Sequence, residues 1–114
     1  MHEASVAQSV LEAIVHECDQ RQVRPKSALI SCGQLNALNN EAFALAFEAI
    51  AQGTLCEGLD IQIKHKPFRA QCHGCNQEFE IGLQTNACVH CDSDDFELLP
   101  DAPLLLETIE FEDD

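Results

Sequence analysis

Residues 72–91, CHGCNQEFEIGLQTNACVHC, decide how the second half of this chain folds. They contain the pattern C-x2-C-x12-C-x2-C, formed by Cys72, Cys75, Cys88 and Cys91. Each C-x-x-C turn can direct both thiolates at one ion, and two such turns complete a tetrahedron with zinc–sulfur distances of about 2.3 Å. The spacing is typical of a zinc ribbon. We therefore predict a closed, structural zinc site with no open position for chemistry.

The same four cysteines are compatible with other chemistry. Two disulfides or a thioredoxin-like redox pair are alternatives, but the opening residues MHEASVAQSV lack the basic and long apolar segments of a secretory signal. Disulfides are disfavoured in a reducing cytosol, and a cytoplasmic location is the expectation. Rubredoxin-like iron is a further alternative, because tetrathiolate sites bind either metal.

The composition predicts a small folded protein with an acidic surface. The chain has 114 residues, enough for one ordinary domain or two very small ones, and 46% of them are hydrophobic. No apolar run approaches the roughly 18 residues that a membrane span needs, so we expect a soluble protein with no membrane contact. The formal net charge of −14 repels phosphate backbones, which argues against nucleic acid as a ligand and favours basic protein partners.

Two segments show the apolar periodicity of amphipathic helices. The first runs from residue 4 to about residue 22, and Pro25 ends it. The second begins after Asn39 or Asn40, either of which can cap the helix, and stops near Gly53. The apolar stripe of the first helix consists of Ala7, Val10, Leu11, Ile14 and Cys18, and that of the second of Phe43, Leu45, Ala46, Phe47, Ala49 and Ile50.

Three segments predict strands. Residues 27–35 mix apolar and small side chains, and residues 59–64 alternate strictly between apolar and polar. Residues 104–111 form the last strand. The apolar positions there change phase near Glu107, which suggests a β-bulge.

The order of these elements predicts an α+β fold. Two helices pack on one face of a three-stranded, at least partly antiparallel sheet, and a four-cysteine zinc ribbon is inserted before the last strand. Residues 67–99 contain only brief apolar runs, so this part must depend on its metal for stability. The predicted domains are therefore a discontinuous one, residues 1–66 and 100–114, and the ribbon, residues 67–99.

The first three residues, Met1-His2-Glu3, suggest a second metal site. If the α-amine, with an ordinary pKa of about 8, and the His2 amide are deprotonated, they and the imidazole supply three nitrogens to one ion. The Glu3 backbone amide can supply a fourth. Four nitrogens in a plane suit Ni(II) or Cu(II). The motif alone is weak, because an early histidine is usually part of a solvated terminus.

The succession of motifs resembles the HypA/HybF family of hydrogenase maturation proteins, over essentially the whole chain. The resemblance rests on the Met1-His2-Glu3 start opening into a helix, Gly33 before Asn39-Asn40, Gly58 before a Leu-x-Ile-x-Ile strand, the paired cysteines, and the closing Leu-x-Leu-x-x-Ile-Glu strand. Its most specific elements are the first three residues and the cysteine pairs.

The resemblance implies a nickel metallochaperone rather than an enzyme, with a nickel-binding α/β domain and an inserted zinc domain. Such proteins deliver Ni(II), a transferable cargo, to the large subunit of [NiFe]-hydrogenase together with a HypB-like maturation GTPase. By carry-over, His2 binds nickel with the Met1 amine and the Glu3 backbone as co-ligands, and the Glu3 side chain tunes the site. The four cysteines map onto the family's ligands for structural Zn(II). No catalytic residue is implied, and the chain is a monomer or a homodimer.

The remaining cysteines and histidines have simpler interpretations. We expect Cys18, Cys32 and Cys56 to be buried small side chains, and His65, His73 and His90 to be ordinary polar residues. His73 and His90 lie inside the cysteine pairs, whereas some relatives place histidines just outside them.

Two other function classes compete with the nickel role. The first is a zinc-ribbon adaptor that recruits protein, binds one zinc and has no specific nickel site. The second is a hydrolase or redox enzyme that uses a leftover cysteine. An enzyme of that kind needs a base beside the thiolate, and the sequence signals no such Cys/His arrangement.

Overall fold

The computed structural model describes residues 2–35 and 37–112. In chain order the elements are α1 (Glu3–Arg21), β1 (Pro25–Cys32), α2 (Asn40–Ala51), β2 (Asp60–His65), β3 (Phe68–Cys72), β4 (Glu78–Ile81), β5 (Phe96–Leu98) and β6 (Leu105–Phe111). The strands form two sheets of three, with the orders β2-β1-β6 and β4-β3-β5. The molecule is elongated and measures 54 × 28 × 16 Å.

The first sheet carries both helices. Its central strand β1 pairs in parallel with β2 and antiparallel with β6. The apolar stripe of α1 and the inner residues of α2 share one cluster with alternate residues of β1, namely Ala28, Ile30 and Cys32. Because alternate residues of a strand point to the same face, both helices pack on that face. The α+β prediction, with a partly antiparallel sheet, is confirmed.

The ends of the helices follow their local sequence. α1 ends at Arg21, and its C-cap Gln22 adopts a left-handed conformation with φ of 55°. The N–H of Val23 donates a hydrogen bond to the carbonyl of Cys18. Asn39 is the N-cap of α2, and its side-chain oxygen accepts a hydrogen bond of 2.9 Å from the N–H of Ala42. Of the two candidate caps, Asn39 is therefore the one that the structure uses.

The predicted limits of the first strand, residues 27–35, were wrong at both ends. Pro25 both follows the first helix and begins β1, and the strand stops at Cys32. Residues 33–35 leave the sheet because the carboxylate of Asp101 accepts hydrogen bonds from the N–H groups of Gln34 and Leu35. A Cβ atom at Gly33 would clash with that carboxylate, so a larger residue here would displace Asp101 from these hydrogen bonds.

Glu107 is the extra residue of a β-bulge in β6. Leu29 pairs with Thr108, whereas the next residue of β1, Ile30, pairs with Leu106, so the register skips one position. This confirms the bulge expected from the change of phase. The carboxylate of Glu107 accepts hydrogen bonds of 2.5 Å from the hydroxyl of the fully buried Ser31 and of 2.9 Å from the ammonium of Lys66.

The Glu107 contacts make part of the stability depend on pH. The hydroxyl of Ser31, followed by the ammonium of Lys66, lowers the pKa of Glu107 below its ordinary value. This stabilising contribution is fully present above the unfolded-state pKa of about 4.3, and it disappears as the pH falls through the lower pKa of the folded state. We expect Glu107→Gln to lower the free energy of unfolding at pH 7, and the difference from the wild type to shrink below about pH 4.3. Urea unfolding curves between pH 3 and 7 measure this difference, and a gap that stays constant over the whole range would contradict it.

The second sheet was not predicted as strands, because its apolar runs are short. β3 lies between β4 and β5 and pairs antiparallel with both. Its core is small and consists of Ala70, Cys72, Phe79 and Cys88, with Phe96 meeting Phe79 edge to face at 5.3 Å between ring centroids. Two of these core positions are themselves cysteines, so little apolar surface holds this sheet together.

The two segments that connect the sheets are both hydrogen-bonded to the loop after β1. In the connection from β2 to β3, the carbonyl of Lys66 accepts a 2.9 Å hydrogen bond from the side-chain amide of Gln34. In the connection from β5 to β6, the carboxylate of Asp101 accepts hydrogen bonds from the backbone of the same loop. Residues 33–35 therefore link the two connections.

Within the described residues, neither α1 nor α2 combines the length and the apolar character that a membrane span requires.

Candidate metal centres

The four predicted zinc ligands converge at one end of the second sheet. The Sγ atoms of Cys72, Cys75, Cys88 and Cys91 all lie within 4.8 Å of one another. The Sγ atoms of Cys72 and Cys91 are 3.5 Å apart, and those of Cys75 and Cys88 are 3.7 Å apart. Zinc–sulfur bonds of about 2.3 Å give a tetrahedron with edges of about 3.8 Å, so the donor set fits one Zn(II) ion.

The two cysteine pairs have the same local backbone. In the first, the N–H of Gly74 donates to Sγ of Cys72 at 3.2 Å, and the residue after the second cysteine, Asn76, is left-handed with φ of 63°. In the second, the N–H of His90 donates to Sγ of Cys88 at 3.3 Å, and Asp92 is left-handed with φ of 65°. Each turn points its N–H groups at sulfur, as a thiolate-binding knuckle requires.

The thiols of this cluster ionise unequally. The backbone N–H of Cys75, assisted by that of Gly74, lowers the pKa of Cys72 to about 6. At Cys91 the backbone N–H of Ser93 also lowers the pKa, but the interaction with Cys72 and desolvation outweigh it and raise the pKa to about 12. Metal binding requires thiolates, and Cys72 is the donor that ionises first near neutral pH.

His73 and His90 lie beside the cluster but point away from it. The ring of His73 lies between two carboxylates, with Nδ1 2.9 Å from Asp95 and Nε2 3.5 Å from Glu97. These contacts, Asp95 first, raise the pKa of His73. Nε2 of His90 lies 3.2 Å from the carbonyl oxygen of Glu78. Among the described residues, the potential metal ligands that lie close together here are the four cysteine sulfurs, without either imidazole.

The predicted nickel residues lie where the N-termini of both helices meet. His2 is the exposed N-cap of α1 and makes no side-chain capping bond, whereas Glu3 begins the helix. The carboxylate of Glu3 accepts a 3.1 Å hydrogen bond from the backbone N–H of Asn39, the cap of α2. The predicted co-ligand Met1 lies outside the described residues.

The surroundings of Glu3 favour its ionised form. The N–H of Asn39, followed by the N–H of Glu3 itself, lowers the pKa of Glu3 below its ordinary value, with a smaller contribution from His2. The positive ends of two helix dipoles also favour a negative charge at this position. A carboxylate therefore stands beside His2 at neutral pH, next to the position expected for the metal.

A Cys/His pair that the sequence did not signal lies at the ends of β1 and β2, beside the start of α2. Nδ1 of His65 is 3.5 Å from Sγ of Cys32, and Nε2 is 2.7 Å from the side-chain oxygen of Asn40. The two residues lie 33 positions apart, and only the parallel pairing of β1 with β2 makes them neighbours. The thiol of Cys32 is fully buried, so no substrate can reach it. The pair joins the end of the sheet to the start of α2.

The three remaining cysteines are buried, as predicted. Cys18, Cys32 and Cys56 all belong to the core between the helices and the first sheet. Burial raises the pKa of Cys18, and it raises the pKa of Cys56 to about 11. These two thiols are therefore protonated and poor nucleophiles at neutral pH.

The fold and the cysteine cluster define an α+β metal-binding protein with a four-cysteine ribbon. The chain matches a family described as "Hydrogenase/urease nickel incorporation, metallochaperone, hypA" over residues 1–111. It is 34% identical to the hydrogenase maturation factor HypA of Desulfitobacterium hafniense, over 99% of this chain and 100% of that protein. It is 31% identical to HybF of Escherichia coli, over 98% and 100%. The chain belongs to the HypA family of hydrogenase maturation nickel metallochaperones.

Solved structures agree with this fold. The solution structure of the Ni metallochaperone HypA from Helicobacter pylori superposes with a TM-score of 0.63 at 22% identity, and the match covers 97% of each chain. A second solution structure of a HypA protein gives a TM-score of 0.69 at 21% identity, over 98% of this chain and 97% of that one. At these identities, the likeness concerns the fold.

Proposed function

We propose that this chain carries one Ni(II) ion at its N-terminus and delivers it to the large subunit of [NiFe]-hydrogenase, in cooperation with a HypB-like GTPase. Membership of the HypA family over residues 1–111 is the observation that carries the proposal. The similar Helicobacter pylori protein is itself described as a Ni metallochaperone. The proposed ligands are the imidazole of His2, the Met1 amine and the backbone amides of His2 and Glu3.

The local geometry supports a transferable site. His2 is exposed and makes no capping bond, so its imidazole can turn towards an ion without breaking a contact. Glu3, by contrast, is held by Asn39 and provides a fixed negative charge. A partner that captures the imidazole of His2 or the α-amine can therefore open the chelate one ligand at a time, while the carboxylate of Glu3 stays in place. Protons compete for the same nitrogens, so nickel affinity falls with decreasing pH.

The proposed role of Cys72, Cys75, Cys88 and Cys91 is to bind one structural Zn(II). Their spacing fits a closed tetrahedral site, and a bound zinc ion crosslinks the two knuckles. We propose the same two domains that the sequence suggests, residues 1–66 with 100–114 for nickel and residues 67–99 for zinc. Two separate sheets and two separate apolar clusters support this division.

Nickel transfer from purified protein tests the proposal. Protein with an unextended N-terminus is expected to contain one zinc per chain and to take up one further Ni(II). When this protein is mixed with the metal-free precursor of a [NiFe]-hydrogenase large subunit, the GTPase and GTP, the nickel is expected to move to the precursor, as measured by metal analysis after separation. Nickel that reaches the precursor equally fast from a nickel salt at the same concentration would refute a donor role.

A further inference from the structure

A groove with a volume of about 850 Å³ lies between α2 and β2. Its inner wall is apolar and is formed by Phe43 and Phe47 of the helix together with Leu59, Ile61 and Ile63 of the strand side. The two phenylalanine rings stack with centroids 5.8 Å apart. Leu59, Ile61 and Ile63 are only half-buried. All three pack against the core of the first sheet but leave part of their apolar surface exposed beside the strand, whereas Phe43 and Phe47 are almost fully buried.

The strand that borders this groove has a free edge. β2 is the outer strand of the order β2-β1-β6, so one row of its backbone N–H and C=O groups has no strand partner within the described residues. Its pairing with β1 runs through six consecutive residues, Asp60–His65, without a register shift. The opposite edge, β6, is interrupted by the bulge at Glu107, a feature that discourages strand addition. β2 is the regular edge of this sheet.

The rim of the groove is acidic. Glu48, Glu57 and Asp60 line it and are exposed, and the part of the chain that the structure describes contributes no lysine, arginine or histidine to its lining. Lys64 and His65 follow at the far end of β2, beyond the groove. Within the described residues, none of the three carboxylates forms an ion pair. The whole chain has a formal net charge of −14, so a second copy of the chain would be repelled from this rim, whereas a basic segment would be attracted.

We propose that an extended, basic segment of a partner protein binds here by adding a strand to the free edge of β2. Backbone hydrogen bonds to the edge hold the segment, and its successive side chains point to opposite faces of the sheet. Those on the face of α2 lie in the groove beside Ile61 and reach Glu48 and Glu57. Those on the other face reach Asp60, so cationic side chains of either set meet a carboxylate. This inference goes beyond nickel delivery and does not require a bound nickel ion. It assigns a second binding surface, distant in sequence from the N-terminal residues, to a partner of defined chemistry.

Peptide binding to the full zinc-containing chain, without nickel, tests the proposal. The probes are fluorescein-labelled peptides of about eight residues, one alternating valine with lysine and one alternating valine with glutamate. In fluorescence anisotropy titrations, we expect the lysine peptide to bind at least about tenfold more tightly than the glutamate peptide. Two further lysine peptides carry N-methyl groups, one on the odd-numbered and one on the even-numbered amides. The peptide whose methyl groups replace the N–H groups that face β2 should lose most of its affinity, because it cannot donate hydrogen bonds to the edge strand.

Two matched charge reversals locate the site. Glu48→Lys, on the rim, is expected to weaken binding of the lysine peptide by about tenfold, whereas Glu110→Lys, on the opposite edge strand, should change it less than about twofold. Equal effects of the two variants would mean that the peptide responds only to overall charge, and the proposal would fail. Equal binding of the N-methylated peptides would exclude strand addition. Self-association of the chain that Glu48→Lys abolishes would also overturn it, because the groove would then bind a second copy.

Discussion

The variant Cys91→Ser is expected to bind zinc about 100-fold more weakly and to lose the tertiary structure of residues 67–99 when zinc is limiting, while keeping both helices. Cys91 is exposed, so its replacement removes a metal ligand without opening a cavity. Structural zinc sites contribute roughly 10–16 kcal/mol of apparent binding free energy. One of four bonds corresponds to about 3 kcal/mol, or roughly 100-fold in zinc affinity. The small apolar core around Phe79 and Phe96 cannot replace that contribution.

The helices should persist because, within residues 2–35 and 37–112, their buried apolar residues belong to a different cluster from those of the ribbon. α1 and α2 belong to the cluster of the first sheet, and the ribbon has its own. With residues 67–99 unfolded, β6 must pair with β1 across a long loop, but the entropy cost of closing a loop rises only slowly with its length. The first sheet should therefore survive.

Three measurements check this expectation. Competition with a chelator gives zinc affinity, circular dichroism at 222 nm gives helix content, and amide NMR signals report on β3, β4 and β5. The control is Cys18→Ala, which removes a thiol outside the cluster from a helix and should retain one zinc per chain. If Cys91→Ser kept both full zinc affinity and the ribbon signals, the four-cysteine site would be disproved.

Nickel affinity is expected to fall by more than about 100-fold in His2→Ala. Even residues that only support a metal ligand alter affinity by about 10–100-fold, and the imidazole is proposed to be a ligand itself. A variant with one residue added before Met1 should lose affinity to a similar extent, because the α-amine no longer adjoins His2. Glu3→Gln should cause a smaller loss of about tenfold, because it removes a charge that is held beside the ion by Asn39.

Isothermal titration with Ni(II), at constant zinc content, measures these affinities. The matched control is His16→Ala, which removes an exposed imidazole from the same helix about 21 Å further along its axis. It should leave the affinity unchanged. If His2→Ala and the extended variant both bound nickel as tightly as the wild type, the N-terminal site would be ruled out.

The helices and the first sheet could be predicted because their signals are local and periodic. The stripe that includes Val10 and Ile14, and the alternation of residues 59–64, report directly on burial. The phase change at Glu107 was sufficient to locate the bulge. The predicted end of β1 was wrong because Asp101, far along the chain, captures the backbone of residues 34 and 35.

Other features could not be predicted, because they depend on pairing rather than on pattern. β3, β4 and β5 have only three to five residues each, which is too short for a periodic apolar signal. The contact between Cys32 and His65 exists only after β1 and β2 are aligned in parallel. The cysteine spacing, in contrast, was sufficient to predict the convergence of four sulfurs.

The position of β6 has a consequence for the folding of this protein during its synthesis on the ribosome. β1 is the middle strand of its sheet, yet one of its two neighbours is made only after the cysteine ribbon. Translation proceeds from the N-terminus, so the four cysteines leave the ribosomal exit tunnel before β6 does. Until β6 follows, one edge of β1 has no strand partner. The four thiols are thus accessible before the first sheet can close, so this connectivity allows the ribbon to fold first.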